Sequence, residues 1–97
     1  MIRVYLLIIC NRENKYEIDK IFTKLDNVVN VDILCGPYDI IVEIIFETME
    51  DLRGKLQKEI KNIDSLMSTL TLIRAEDMYN LDKLLVKKGY SLMDNLK

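Results

Sequence analysis

The residues with chemically useful side chains surround one turn, in which Asp39 follows Gly36 and Pro37. Gly36 can take a positive φ without a steric penalty, and Pro37 keeps the residue before it out of the helical region. The pair therefore predicts a turn between two apolar runs, 28–34 and 40–46. Asp39 lies at the start of the second run, where a carboxylate is unusual. The residues alone thus predict a β-hairpin with one charge at its edge.

Several kinds of catalytic and metal chemistry are excluded by composition. The sequence contains no histidine, so the common zinc sites, a histidine general base and the Ser/His/Asp and Cys/His nucleophilic arrangements are absent. Cys10 and Cys35 do not have metal-ligand spacing. We interpret them as reduced thiols of a cytoplasmic protein. We expect no metal and no cofactor, although metal capture by these thiols or by surface carboxylates is a weak alternative.

The length and the composition of the chain indicate a single domain of 97 residues that exposes apolar surface as a monomer. Hydrophobic residues make up 49% of the chain, charged residues 31%, and the net charge is −2. With this net charge we expect no strong nonspecific binding to nucleic-acid phosphates. The apolar start of the chain is about half the length that spans a bilayer and lacks the basic flank of a signal peptide. We therefore expect neither DNA nor membrane as a partner.

Hydrophobic spacing predicts four strands and two helices. Asn14 with Glu17, and Thr48 with Asp51, have the spacing of helix N-terminal caps. The predicted order is βαββαβ, which is the α+β ferredoxin-like arrangement: a four-stranded antiparallel sheet with both helices on one face. In the last strand the pattern alternates, with Leu66, Ser68, Leu70 and Leu72 on one side and Met67, Thr69, Thr71 and Ile73 on the other.

The central strands of this fold are apolar on both faces, so the face without helices also needs cover. A second subunit packed sheet to sheet is the simplest cover, and it predicts a homodimer or a higher even oligomer. We assign residues 1–76 to the folded domain. Residues 77–97 show short apolar spacings and are predicted to form a C-terminal helical tail.

The chain resembles the effector-binding (RAM) domain of the Lrp/AsnC regulators over residues 2–75. The resemblance is carried by Gly-Pro-Tyr-Asp-Ile at 36–40 and by Ser-Thr-Leu-Thr-Leu-Ile at 68–73. It implies a dimeric α/β barrel and a small effector, typically an amino acid, bound at subunit interfaces. The usual family member carries an N-terminal helix-turn-helix domain, whereas this chain begins at the first strand and resembles a stand-alone RAM protein.

The resemblance also implies a ligand site formed by the turn and the last strand. An effector ammonium needs an acceptor such as a carboxylate, and its carboxylate needs N–H or hydroxyl donors. The implied ligand-binding residues are Gly36, Tyr38, Asp39, Thr69 and Thr71.

The implied function is that of a non-enzymatic ligand sensor that modulates transcription or metabolism through partner proteins, a full-length Lrp/AsnC regulator among them. Two other functions stay open: a small dimeric α/β-barrel enzyme of the cofactor-free monooxygenase or isomerase kind, and a plain assembly module. Each site residue also has a structural interpretation. Asp39 can bond nearby backbone, and Thr69 and Thr71 can be ordinary strand residues.

Overall fold

The computed structural model describes residues 1–74 and 76–77, and four antiparallel strands form its sheet. Their order across the sheet is β2-β3-β1-β4, so β1 and β3 lie in the centre. Two helices contribute buried residues to the same core, which confirms the predicted ferredoxin-like α+β fold. The strands are β1 (Ile2–Cys10), β2 (Val28–Ile33), β3 (Ile40–Phe46) and β4 (Leu66–Ile73).

The first helix, α1 (Lys15–Thr23), follows a single 3-10 turn over Arg12–Asn14. The predicted cap at Asn14 is wrong, because this residue already has helical backbone angles and its side chain makes no capping hydrogen bond. Its N–H instead donates to the carbonyl of Asn11 at 2.9 Å. The 3-10 turn thus includes Asn14, the residue that was predicted to cap the helix.

The second helix, α2, has three consecutive segments: α-helical Met49–Asp51, π-helical Leu52–Leu56 and α-helical Gln57–Lys61. The predicted cap at its start is confirmed, because the hydroxyl of Thr48 accepts the N–H of Asp51 at 3.1 Å. A cap of this kind stabilises a helix by about 1 kcal/mol.

Gly54 lies in the π-helical segment and has open space beside it. Apart from its chain neighbours and the nearby backbone of its own helix, no heavy atom lies within 4 Å of the position that its Cβ would take. We expect Gly54→Ala to raise the free energy of unfolding by about 0.5–1 kcal/mol, because alanine restricts the unfolded chain more than glycine does. Urea denaturation of the two proteins measures this difference. A destabilised variant would mean that the π-helical turn needs glycine.

The core lies between the sheet and the helices. Side chains on β1 alternate strictly between buried and half-buried positions, and β3 does the same. The buried members face Ile18 and Phe22 of α1 and Leu52 and Leu56 of α2. This face of the sheet is therefore closed within one chain by the two helices.

The opposite face of the sheet is apolar and carries no helix among the described residues. Leu70 and Leu72 are 39% and 41% exposed there. One ion pair crosses this face, between Arg3 Nη1 and Glu43 Oε2 at 3.8 Å. We call this surface the open sheet face; its apolar members are Tyr5, Leu7, Ile9, Ile41, Ile45, Leu70 and Leu72.

The predicted helical tail, 77–97, lies outside the described residues apart from Asp77. In the part of the chain that the structure describes, no helix is long and apolar enough to cross a membrane.

Candidate functional site

The hairpin between β2 and β3 is fixed to the central strand by the main chain of Asp39. Its N–H donates to the carbonyl of Ile8 at 2.8 Å, and its carbonyl accepts the N–H of Leu34 at 2.7 Å. The turn predicted at Gly36 and Pro37 is thus closed on one side by β2 and held against β1 on the other. Gly36 has a φ of 159°, close to extended backbone.

The side chain of Asp39 joins three elements of the fold. Its Oδ2 accepts the N–H of Cys10, the last residue of β1, at 2.9 Å. Its Oδ1 lies 3.2 Å from Nζ of Lys15, the first residue of α1. The same ammonium donates to the carbonyl of Leu34 in the hairpin at 3.3 Å. We call this arrangement the Asp39 clasp; it consists of Cys10, Lys15, Leu34 and Asp39.

The clasp is partly shielded from solvent, and its charges are matched. The side chains of Lys15 and Asp39 are 15% and 21% exposed. The Cys10 N–H, and after it the Lys15 ammonium, hold the pKa of Asp39 below its ordinary value. Burial raises the pKa of the Cys10 thiol, and the Asp39 carboxylate adds to this effect. At neutral pH the carboxylate of Asp39 is therefore ionised and the thiol of Cys10 is neutral.

The structure brings four of the five predicted site residues to one end of the sheet. Gly36, Tyr38 and Asp39 share the hairpin. Thr69 is paired with Ile8, whose carbonyl accepts the Asp39 N–H.

Thr71 lies further from the hairpin than the other predicted site residues. It pairs with Leu6, which is fully buried in the core, and Thr71 itself is only 8% exposed. Both Thr71 and Thr69 share a side of the sheet with core residues of β1, so within a single chain they face the helices rather than the open sheet face.

At the other end of β1, the carboxylate of Asp77 also binds one main-chain N–H and one cationic side chain. Asp77 Oδ2 accepts the N–H of Arg3 at 3.0 Å, and its Oδ1 accepts from Arg74 Nη2 at 3.1 Å. The Arg3 N–H, and after it the guanidinium of Arg74, hold the pKa of Asp77 below its ordinary value. This contact was not predicted from the sequence. The available signal was an acid placed three residues after Arg74, just beyond an apolar strand.

Both carboxylates make the stability of the fold depend on pH in the same direction. Because the pKa values of Asp39 and Asp77 are lower in the folded chain than in the unfolded chain, their stabilising effect is complete above the unfolded values. It is lost as the pH falls through the folded values. We expect the free energy of unfolding to decrease from about pH 5 downwards.

The matched comparison for this pH dependence is the double variant Asp39→Asn, Asp77→Asn, which cannot titrate at these positions. Urea denaturation between pH 7 and pH 3 should give a steeper loss of stability for the wild type than for the variant. Parallel curves would show that neither carboxylate contributes.

Other chemistry has little support among the described residues. No group of three or more histidine, cysteine, aspartate or glutamate side chains in this part of the chain is placed to hold a metal ion. Cys10 is buried, Cys35 is exposed, and both are free thiols.

No family model matches the sequence, and no curated protein matches it. Similarity is found among solved structures. The chain superposes on FFRP-DM1 with a TM-score of 0.73 at 22% identity, covering 76% of this chain and 99% of that one. It superposes on AsnC from E. coli with a TM-score of 0.70 at 24% identity, covering 76% of this chain and 50% of that one.

A third similar structure contains a ligand. It is a transcriptional regulator from Neisseria meningitidis in complex with L-methionine, with a TM-score of 0.67 at 9% identity, covering 75% of this chain and 49% of that one. AsnC and an AsnC-family transcriptional regulator from Agrobacterium tumefaciens are among the structural neighbours, so the predicted resemblance to the Lrp/AsnC family is confirmed. At identities below 25% the likeness establishes the shared fold, and the chain spans half of AsnC and nearly all of FFRP-DM1.

Proposed function

We propose that the chain is a ligand-sensing oligomer of the Lrp/AsnC type, which binds an amino acid at an interface between subunits and acts through partner proteins. The observation that carries this proposal is the shared fold with AsnC and with a regulator bound to L-methionine. The absence of histidine from the sequence gives no support to the enzyme alternative.

The open sheet face supports the oligomer. An exposed apolar patch in the middle of a sheet is costly in water and typical of an interaction surface. A second copy of the chain provides an equally apolar surface. Arg3 and Glu43 pair with each other on this face, so each offsets the charge that the other would bring into the interface. Two sheets packed in this way form a dimeric α/β barrel.

The Asp39 clasp supports the binding of an ammonium group. The ionised carboxylate of Asp39 already binds one ammonium group, that of Lys15, at 3.2 Å, so its charge and position suit an ammonium ligand. The effector carboxylate would be bound by backbone N–H groups near Gly36 and by the hydroxyl of Thr69. Tyr38 would line the hairpin side of the pocket. Thr71 is the least accessible member of the proposed site.

The proposed partners are proteins rather than DNA, since the net charge of −2 gives the chain no overall excess of basic residues. AsnC is about twice as long as the matched region. A full-length Lrp/AsnC regulator is therefore a suitable partner, because its own RAM domain would offer a sheet face of the same shape.

A thermal-shift screen against the common L-amino acids tests the proposal. A ligand at about 100 times its dissociation constant stabilises the folded protein by roughly 2.7 kcal/mol. For a domain of this size we expect Tm to rise by about 10 °C or more with one amino acid. An unchanged Tm with every amino acid would contradict the proposed function and favour a plain assembly module.

A further inference from the structure

We propose that Lys15 occupies the place of the effector's ammonium group in the unliganded protein, and that an amino acid binds by displacing it. This inference rests on the proposed function. Its basis is chemical identity, because a lysine side chain and an amino acid both present a primary ammonium. The structure already holds one such group against Asp39, the carboxylate that we assign to effector binding.

The ammonium of Lys15 is held by two acceptors of the hairpin. Nζ lies 3.2 Å from Asp39 Oδ1 and 3.3 Å from the carbonyl oxygen of Leu34. The other carboxylate oxygen, Oδ2, is already hydrogen-bonded to the end of β1, where it accepts the N–H of Cys10 at 2.9 Å. An incoming ammonium therefore meets the hairpin acceptors where Lys15 is already bound.

Simultaneous binding of both ammonium groups is unfavourable. Two cations on one carboxylate oxygen would lie within a few ångströms of each other, and Lys15 is only 15% exposed, so solvent screens this repulsion weakly. The positive charge of Arg12 also acts on Asp39 and would add to the repulsion. Exchange of Lys15 for the effector keeps one ammonium group on the carboxylate and avoids the repulsion between the two ammonium groups.

Displacement would carry the binding signal to the helices. Lys15 is the first residue of α1 and links that helix to the hairpin through Leu34 and Asp39. When its ammonium is released, the side-chain bonds between α1 and the hairpin are lost, while the Cys10 bond to Asp39 remains. The hairpin would then be tied to the sheet but no longer to the start of α1.

The test is the affinity of Lys15→Met for the common L-amino acids, measured by isothermal titration calorimetry beside the wild type. Methionine keeps an unbranched stem and removes the competing ammonium. We expect the dissociation constant to fall at least about tenfold. Lys20→Met is the matched control, because it removes an exposed lysine from the same helix; its dissociation constant should equal that of the wild type.

The outcomes separate this inference from the proposed function. An amino acid that binds the wild type as tightly as Lys15→Met, or more tightly, overturns the displacement. Binding to Lys15→Met alone supports it. If no amino acid binds any of the three proteins, the proposed function fails and the inference fails with it.

A second measurement uses the wild type and does not depend on folding of the variant. Amine labelling followed by mass spectrometry gives the reactivity of Lys15 relative to that of Lys20. We expect this ratio to rise several-fold when the protein is saturated with the amino acid found by calorimetry. The N-acetyl derivative of that amino acid, which has no ammonium group, should leave the ratio unchanged. An unchanged ratio with the free amino acid would overturn the inference.

Discussion

The Leu72→Lys variant should be a monomer at micromolar concentrations at which we expect the wild-type protein to be a dimer. Leu72 lies on the open sheet face and is 41% exposed in the single chain, so lysine can be accommodated by the isolated subunit. In a sheet-to-sheet dimer, however, its ammonium would be removed from water without a partner, at a cost of several kcal/mol. We expect dimer dissociation to be favoured at least about 100-fold. Sedimentation velocity of both proteins over a concentration series measures the change.

Tyr16→Lys is the control for this experiment. Tyr16 is a large exposed side chain, 69% accessible, but it lies on α1 and not on the open sheet face. The same change in charge there should leave the oligomeric state as it is in the wild type. A wild-type protein that stays monomeric, or a Leu72→Lys protein that dimerises as well as the wild type, would contradict the sheet-to-sheet interface.

The Asp39→Asn variant should bind its amino acid at least about 100-fold more weakly than the wild type, because a neutral amide cannot balance an ammonium charge. Asparagine is the better substitution here than alanine. The Asp39 side chain holds the end of β1 and the start of α1, and an amide oxygen can still accept the Cys10 N–H. Titration calorimetry, with circular dichroism as a check on folding, gives the result.

Asp77→Asn is the matched control for Asp39→Asn. Asp77 is also a carboxylate that accepts one strand N–H and one cationic side chain, but it lies at the other end of β1. Both variants should lose some stability at neutral pH, and only Asp39→Asn should lose affinity. Equal affinity in the two variants would remove Asp39 from the ligand site and leave it a purely structural residue.

The sheet and its central strands could be predicted because hydrophobic pattern carries that information. Residues 4–9 and 40–46 are almost continuously apolar, which is typical of strands covered on both faces. In the structure they lie in β1 and β3, the two central strands. The cap at Thr48 could also be predicted, because it depends on residues only three positions apart.

Features that depend on distant residues could not be predicted in this way. Lys15 and Asp39 are far apart in sequence, and no local pattern indicates that the start of α1 lies beside the hairpin. The structure also departs from simple alternation in β4. An irregularity between Ile9 and Cys10 pairs Cys10 with Leu66, so that Leu66 packs against the core and not beside Leu70 on the open sheet face.

The two carboxylates at the ends of β1 also determine the register of the sheet. Because β1 is apolar on both faces, a slip by one residue would exchange one apolar face for the other, and burial alone would oppose it only weakly. Asp39 and Asp77, in contrast, bind the main-chain N–H groups of Cys10 and Arg3. These two residues are an odd number of positions apart, so their N–H groups point to opposite sides of β1. Successive N–H groups of a strand point to opposite neighbours. A one-residue slip would turn both N–H groups away from their carboxylates at once, so two polar contacts specify an alignment that the hydrophobic pattern leaves open.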